Sequence, residues 1–117
     1  MFEWLKPLTQ GHAAAPLRES AAQAAVDAET ATMALYEFTT CPYCVRVRRA
    51  IANLQLDIEL RNIRKERHFQ EELIEGGGKG MVPCLRLKKE DGSVDWMYES
   101  KDIVRYLAKR FAPENTA

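Results

Sequence analysis

The run Met33-Ala34-Leu35-Tyr36-Glu37-Phe38-Thr39-Thr40-Cys41-Pro42-Tyr43-Cys44 decides the fold. Its first six residues are a short apolar stretch rich in strand formers, the pattern of a buried strand. Thr39-Thr40 interrupts it. Pro42 then suits the first turn of a helix, where its missing N–H would have no partner in any case. Beyond it Cys44, Val47, Ile51 and Leu54 recur at helical spacing, and Arg46, Arg49 and Asn53 take the solvent side. This predicts a strand over 33–38 and a helix from Pro42 to about Leu54.

Working toward the C-terminus, Asp57 to Ile63 alternates polar and apolar residues, as a half-buried strand does. His68 to Glu75 reads as a short helix with Phe69 and Leu73 inward, ended by Gly76-Gly77-Gly78-Lys79-Gly80. Val82 to Leu87 is a third strand, Glu90-Asp91-Gly92-Ser93 a turn, and Val94 to Tyr98 a fourth strand. Ser100 can cap a last helix whose buried stripe is Ile103, Val104, Leu107 and Phe111, with Pro113 closing the domain. The order is β-α-β-α-β-β-α. Its first two strands, joined by a helix, should be parallel with a right-handed crossover, and its last two should form a hairpin. Helices should cover both faces of a four-stranded mixed sheet.

Residues 1–32 differ from the rest. Phe2, Trp4, Leu5 and Leu8 form a small apolar cluster, and Ala13 to Thr32 is Ala-rich with good helix propensity but a weak apolar stripe. The expected organisation is a partly helical extension over 1–32, a domain over 33–113 and a tail over 114–117. The extension is read as lying on its own domain or staying mobile, against a rival reading as a docking segment.

A chain of 117 residues has room for one domain. Lys plus Arg equals Asp plus Glu, at 17 each, so no global charge calls for a nucleic acid or an anionic membrane. No apolar run approaches the ~20 residues a membrane span needs. Met1 to Leu8 is too short and interrupted for a signal-peptide core, which makes the reducing cytosol the expected compartment. Three cysteines there are poor material for a disulfide framework, so Cys41-x-x-Cys44 reads as redox or metal chemistry.

Thiol–disulfide exchange needs an exposed thiolate that attacks and a second thiol that resolves the product. Cys41, where strand meets helix, faces unpaired N–H groups and the positive end of the helix dipole, which favours its thiolate. Cys44, one turn on, falls beneath it. Half of a zinc site is the competing reading. It is set aside because zinc wants four ligands and only Cys84, His12 and His68 remain, with no second Cys pair or His pair. Cys84 is read as a buried strand cysteine packing as a small hydrophobe.

Residues 33–111 resemble the glutaredoxins, most closely the glutathione-transferase-like branch. The resemblance rests on three pieces: Cys41-Pro42-Tyr43-Cys44, Met81-Val82-Pro83, and Tyr98-Glu99-Ser100-Lys101-Asp102-Ile103-Val104-Arg105-Tyr106-Leu107. It implies an α/β thioredoxin fold with sheet order 2-1-3-4 and glutathione as co-substrate. It further implies that the Val82–Pro83 bond is cis, with the Val82 backbone pairing with the cysteinyl part of glutathione. Glu99 would meet the γ-glutamyl ammonium, and Ser100 with the N–H groups of its helix would receive the α-carboxylate. Lys79 or a nearby arginine would receive the glycyl carboxylate, and Tyr43 would stand at the rim. Without the resemblance Pro83 merely begins a strand, Ser100 is only a cap and Glu99 a solvated acid.

Three departures from the family pattern stand out. Phe38 occupies the place of a cation common in glutaredoxins, Met81 replaces the common Thr before Val-Pro, and no helical second domain follows. Conjugating activity is therefore not expected. The expected function is a glutathione-dependent oxidoreductase reducing protein disulfides or glutathionylated proteins through Cys41, with no metal and no membrane span. Two alternatives are carried: a dimeric carrier of an iron–sulfur cluster held by Cys41 thiolates and glutathione, which Pro42 and Cys44 disfavour, and a non-catalytic binding module.

Overall fold

The computed structural model describes residues 15–113. The Phe2–Leu8 cluster, His12 and the tail 114–117 lie outside the described residues. In chain order the elements are α1 (Ser20–Thr30), β1 (Met33–Glu37), α2 (Pro42–Asn53), β2 (Glu59–Asn62), α3 (Arg67–Gly77), β3 (Cys84–Lys88), β4 (Val94–Tyr98) and α4 (Ser100–Phe111). The strands form one mixed sheet in the order β2-β1-β3-β4. β1 pairs with β2 in parallel and with β3 antiparallel, and β3 with β4 antiparallel. This is the expected α/β thioredoxin-like arrangement.

The sheet divides the core into two layers because successive side chains of a strand point to opposite faces. Leu35 and Leu85 point to one side, where they pack with Val47 and Ile51 of α2 and Ile103, Leu107 and Phe111 of α4. Tyr36 and Cys84 point to the other, toward Leu73 of α3, Ile63, Trp96 and Tyr98. All five residues of β1 are buried, which explains why its sequence reads as one continuous apolar run. At the α3 side the Tyr36 hydroxyl donates to Glu72 at 2.8 Å and accepts from Arg61 at 2.7 Å, tying the central strand to the helix and to β2.

The segment 15–30 packs on this core. Val26 retains 3% of its surface and joins the α2–α4 layer, although the helix has no other large apolar residue to offer. Polar contacts do the rest. The Arg18 guanidinium, itself buried, donates to the Phe111 carbonyl at the end of α4. The Gln55 amide donates to Ala15 O at 2.9 Å and accepts from Leu17 N–H at 3.2 Å. Arg110 pairs with Glu29 at 2.6 Å.

Three element ends differ from the sequence expectation. β2 keeps only the middle of the alternating stretch, with Ile58 and Ile63 buried just beyond its ends and Leu60 half-exposed on this edge strand. β3 starts at Cys84 rather than Val82, since Pro83 has no N–H to give a ladder. α3 runs two residues past Glu75, through Gly76 and Gly77, before Gly78 ends it at φ +90°. A Cβ on Gly76 would lie 2.1 Å from the Trp96 indole, and one on Gly77 2.1 Å from the Tyr98 hydroxyl. Those glycines let β4 aromatics approach the helix backbone rather than end the helix.

Candidate functional site

The site is assembled where β1 hands over to α2. Cys41 is the N-cap of α2 with extended backbone (φ −68°, ψ 119°), and its Sγ accepts the Cys44 N–H at 3.4 Å. The approach loop is held from behind. Arg48 pairs with the buried Glu37 and donates to Thr39 O at 2.8 Å, so the chain reaches Cys41 on a fixed course. Phe38, found where the resemblance led us to expect a cation, carries one on its face: the Arg64 guanidinium lies 3.7 Å from the ring centroid. No sequence spacing links these two residues, and only the fold brings them together.

The structure corrects one expectation directly. Cys41 was expected to be exposed, and it retains only 6% of its surface. The cause lies in its capping role, since a side chain that accepts a hydrogen bond from the first turn must fold over that turn. Cys44 is wholly buried, and its thiol is pushed up to about 12, first by burial and then by its hydrogen bond with Cys41. Beneath Cys41, Cys44 is thus held in its thiol form. Cys84 is also wholly buried in β3 and is likewise pushed up to about 12 by burial. All three cysteines are free thiols.

A groove of about 300 Å³ opens beside this turn. It is lined by all six residues assigned to glutathione from the sequence: Tyr43, Lys79, Val82, Pro83, Glu99 and Ser100. The Val82–Pro83 peptide is cis, as the resemblance implies. The two cysteines are not among the lining residues and connect to the groove through Tyr43, which stands between them in the chain and is 58% exposed. Four further lining residues, Arg46, Met81, Tyr98 and Lys101, had no glutathione role assigned from the sequence. Arg46 was findable one helical turn after Tyr43, and the other three as direct neighbours of Val82, Glu99 and Ser100.

The floor of the groove is braced across its width. The Tyr98 hydroxyl donates to the Lys79 carbonyl at 2.9 Å, and the Lys79 ammonium sits 5.0 Å from the Tyr98 ring centroid. Ser100 is not the helix cap that the sequence suggested. Glu99 holds the N-cap position without a side-chain capping bond, and Ser100 is the first, buried residue of α4. Glu99 adopts φ +74°, a left-handed conformation that costs a residue with a Cβ on the order of 1–3 kcal/mol. Such strain concentrates where a side chain has to be aimed. Here the aim leaves the carboxylate and the uncapped N–H groups of α4 at one groove, a combination that can receive an ammonium and a carboxylate together. Among the described residues no cluster of three or more His, Cys, Asp or Glu could hold a metal ion, and no helix is long and apolar enough to cross a membrane.

Comparison with known proteins gives this geometry a context. The family model described as glutathione S-transferase, N-terminal domain, matches residues 35–115. No curated protein matches the chain by sequence. Among solved structures, a trimeric glutathione transferase of Leishmania shares 26% identity over 69% of this chain and 18% of its own, with a TM-score of 0.57. Glutathione transferase E6 of Drosophila melanogaster shares 27% over 68% of this chain and 35% of its own, with a TM-score of 0.54. A maleylacetoacetate isomerase from Anaeromyxobacter dehalogenans, solved with glutathione in its active site, shares 26% over 68% of this chain and 38% of its own, with a TM-score of 0.53. The chain thus spans less than two-fifths of the length of each of these proteins.

Proposed function

The chain belongs to the glutathione S-transferase N-terminal domain family, and from that premise we propose that it is a glutaredoxin-type, glutathione-dependent thiol–disulfide oxidoreductase with Cys41 as the attacking thiolate. One observation carries this reading above all. A Cys-x-x-Cys turn with its first sulfur on the N-terminus of α2 stands next to a groove that gathers Glu99, Ser100 and the cis Val82–Pro83 bond. A conjugating enzyme needs a glutathione groove, but it has no use for a second thiol beneath the first.

In this reading glutathione lies along the groove. Its γ-glutamyl ammonium meets Glu99, its α-carboxylate the first N–H groups of α4 with Ser100, and its cysteinyl backbone the Val82 main chain. Lys79 offers a cation for the glycyl carboxylate. The Cys41 thiolate attacks the glutathione sulfur of a protein–glutathione mixed disulfide. The old S–S bond breaks, the protein leaves as a thiolate that takes up a proton from water, and Cys41 becomes glutathionylated. A second glutathione thiolate attacks that bond, releasing glutathione disulfide and restoring the Cys41 thiolate. In sum one glutathione thiol is oxidised and the substrate protein's sulfur is reduced to a thiol, while the glutathionyl sulfur passes from one disulfide to the next. With a protein disulfide, Cys44 would lose its proton and close a Cys41–Cys44 bond, to be reopened by two glutathiones.

The test is an assay of NADPH oxidation linked through glutathione reductase, with glutathione and a small mixed disulfide as substrates. Wild-type turnover with loss of activity in Cys41→Ser is the expected result. Activity that survives the substitution overturns the assignment. Cys44→Ser should keep the mixed-disulfide reaction and lose turnover of protein disulfides.

A further inference from the structure

The chain is neutral as a whole, yet its charge is sorted by layer. α2 and α4 pack side by side on one face of the sheet and carry seven cations against a single acid, Asp102. On the opposite face α3 carries Glu71, Glu72 and Glu75 against Arg67. Of the α2–α4 cations, Arg48 and Arg110 are consumed by Glu37 and Glu29. Arg46 and Arg49 are exposed, one helical turn apart, and neither has an ion-pair partner among the described residues.

These two arginines line a second groove of about 380 Å³ between the helices. Its other walls are Pro42, Val45, Ala50, Asn53 and Val104, and no carboxylate faces it. Arg46 belongs to both grooves, so one cation joins the glutathione groove to the Arg49 side of α2. On the first groove, Tyr43 and Met81 are exposed to 58% and 61%. Glutathione is too small to need both grooves.

Resting on the oxidoreductase reading above, we propose that the protein substrates of this site are acidic segments: their carboxylates lie on Arg46 and Arg49 while the modified cysteine sits at Cys41. Helical rise puts Arg49 about 12 Å along α2 from Cys41. An extended peptide covers that distance in roughly four residues. The acids that matter are therefore three and four residues from the modified cysteine. The aliphatic walls favour a peptide over a single-stranded nucleic acid, which would use aromatic platforms to stack its bases. Among the described residues Tyr43 is the only aromatic ring lining either groove apart from the braced Tyr98.

The experiment uses the full chain and three ten-residue peptides, each with one glutathionylated cysteine. Asp and Glu, Lys and Arg, or Ser and Gln occupy the third and fourth positions from it. The small mixed disulfide serves as reference, and anisotropy with labelled, unmodified peptides reads binding apart from turnover. The acidic peptide should show a kcat/KM at least tenfold above the basic one at low salt, with the gap closing as salt rises. Arg49→Glu should reverse the order of the peptides, Arg49→Lys should preserve it, and both should leave the small disulfide unchanged. Equal kcat/KM for the three peptides, with the small disulfide still turned over, overturns the proposal. Loss of the small-disulfide reaction overturns the catalytic reading instead, and salt-sensitive binding of the acidic peptide then still decides the docking claim. A short single-stranded RNA that binds more tightly than the acidic peptide overturns it in favour of nucleic acid.

Discussion

Replacing Gly76 with alanine opposes two effects whose difference fixes the sign of the result. Gly76 sits in the last turn of α3 with ordinary helical backbone, so alanine should gain up to about 1 kcal/mol of helix propensity. The added Cβ, however, would lie 2.1 Å from Trp96 Cζ2 and 2.8 Å from both Cε2 and Cη2. These atoms belong to the body of the ring, so the whole indole has to move. Trp96 also stacks against the buried Tyr36 with centroids 5.5 Å apart, a contact of about 0.5–1.5 kcal/mol. Overpacking of this kind costs ~1–3 kcal/mol, and loss of the ring pair adds to it. Gly76→Ala should therefore destabilise by about 1–3 kcal/mol net. Urea unfolding followed by far-UV circular dichroism measures this, and Tm should fall by roughly 4 °C for each kcal/mol. Trp96→Leu removes the obstacle, so in that background Gly76→Ala should no longer destabilise, the comparison being the double variant against Trp96→Leu alone. A Gly76→Ala protein with a higher Tm than wild type would refute the argument, because propensity would then have won over packing.

Three further outcomes are expected. Cys44 and Cys84 hold their protons up to about 12 in the folded chain, against an ordinary thiol value of 9.0, so the folded state binds more protons between those limits. Their contribution is whole below about pH 9 and declines as pH rises toward 12; urea midpoints across pH 8 to 11 should fall, and Cys84→Ala should flatten the decline. Arg18→Ala strips the Phe111 carbonyl of a buried donor and should cost about 1–3 kcal/mol, read as a lower Tm with an unchanged activity per folded molecule. In the proposed placement of glutathione, Glu99→Gln exchanges a charged for a neutral partner of the ammonium, so KM for glutathione should rise about tenfold with kcat little changed; an unaltered KM would remove Glu99 from the site.

The parts of the fold that rest on a one-dimensional pattern could be read in advance. The continuous apolar run over 33–38 and the i, i+3, i+7 spacing of Cys44, Val47 and Ile51 are local signals, and they place β1, α2 and the Cys-x-x-Cys turn between them. The two halves of the groove proposed for glutathione were legible only through resemblance, since nothing in the spacing of Val82 and Glu99 says that they meet. Features that depend on what packs from elsewhere were not legible at all. Gly76 and Gly77 look like a helix stop until Trp96 and Tyr98 are seen against them. Arg64 on Phe38 and Arg18 on Phe111 join residues with no common period. The burial of Cys41 follows from its capping bond, because a sulfur that reaches the first-turn N–H groups has to fold over that turn.

The bond from Arg18 to the Phe111 carbonyl joins groups 93 residues apart. A contact of that span cannot help to organise the chain early, because the closure entropy is lost before anything local repays it. Val26 adds one apolar side chain to the same late event. The first helix should thus be the last piece to dock and the first to lift away, exchanging its amide hydrogens through an opening that leaves the four-stranded sheet closed. With α1 away, the end of α4 would lose its guanidinium cap while the opposite end of that helix, at the glutathione groove, kept its place.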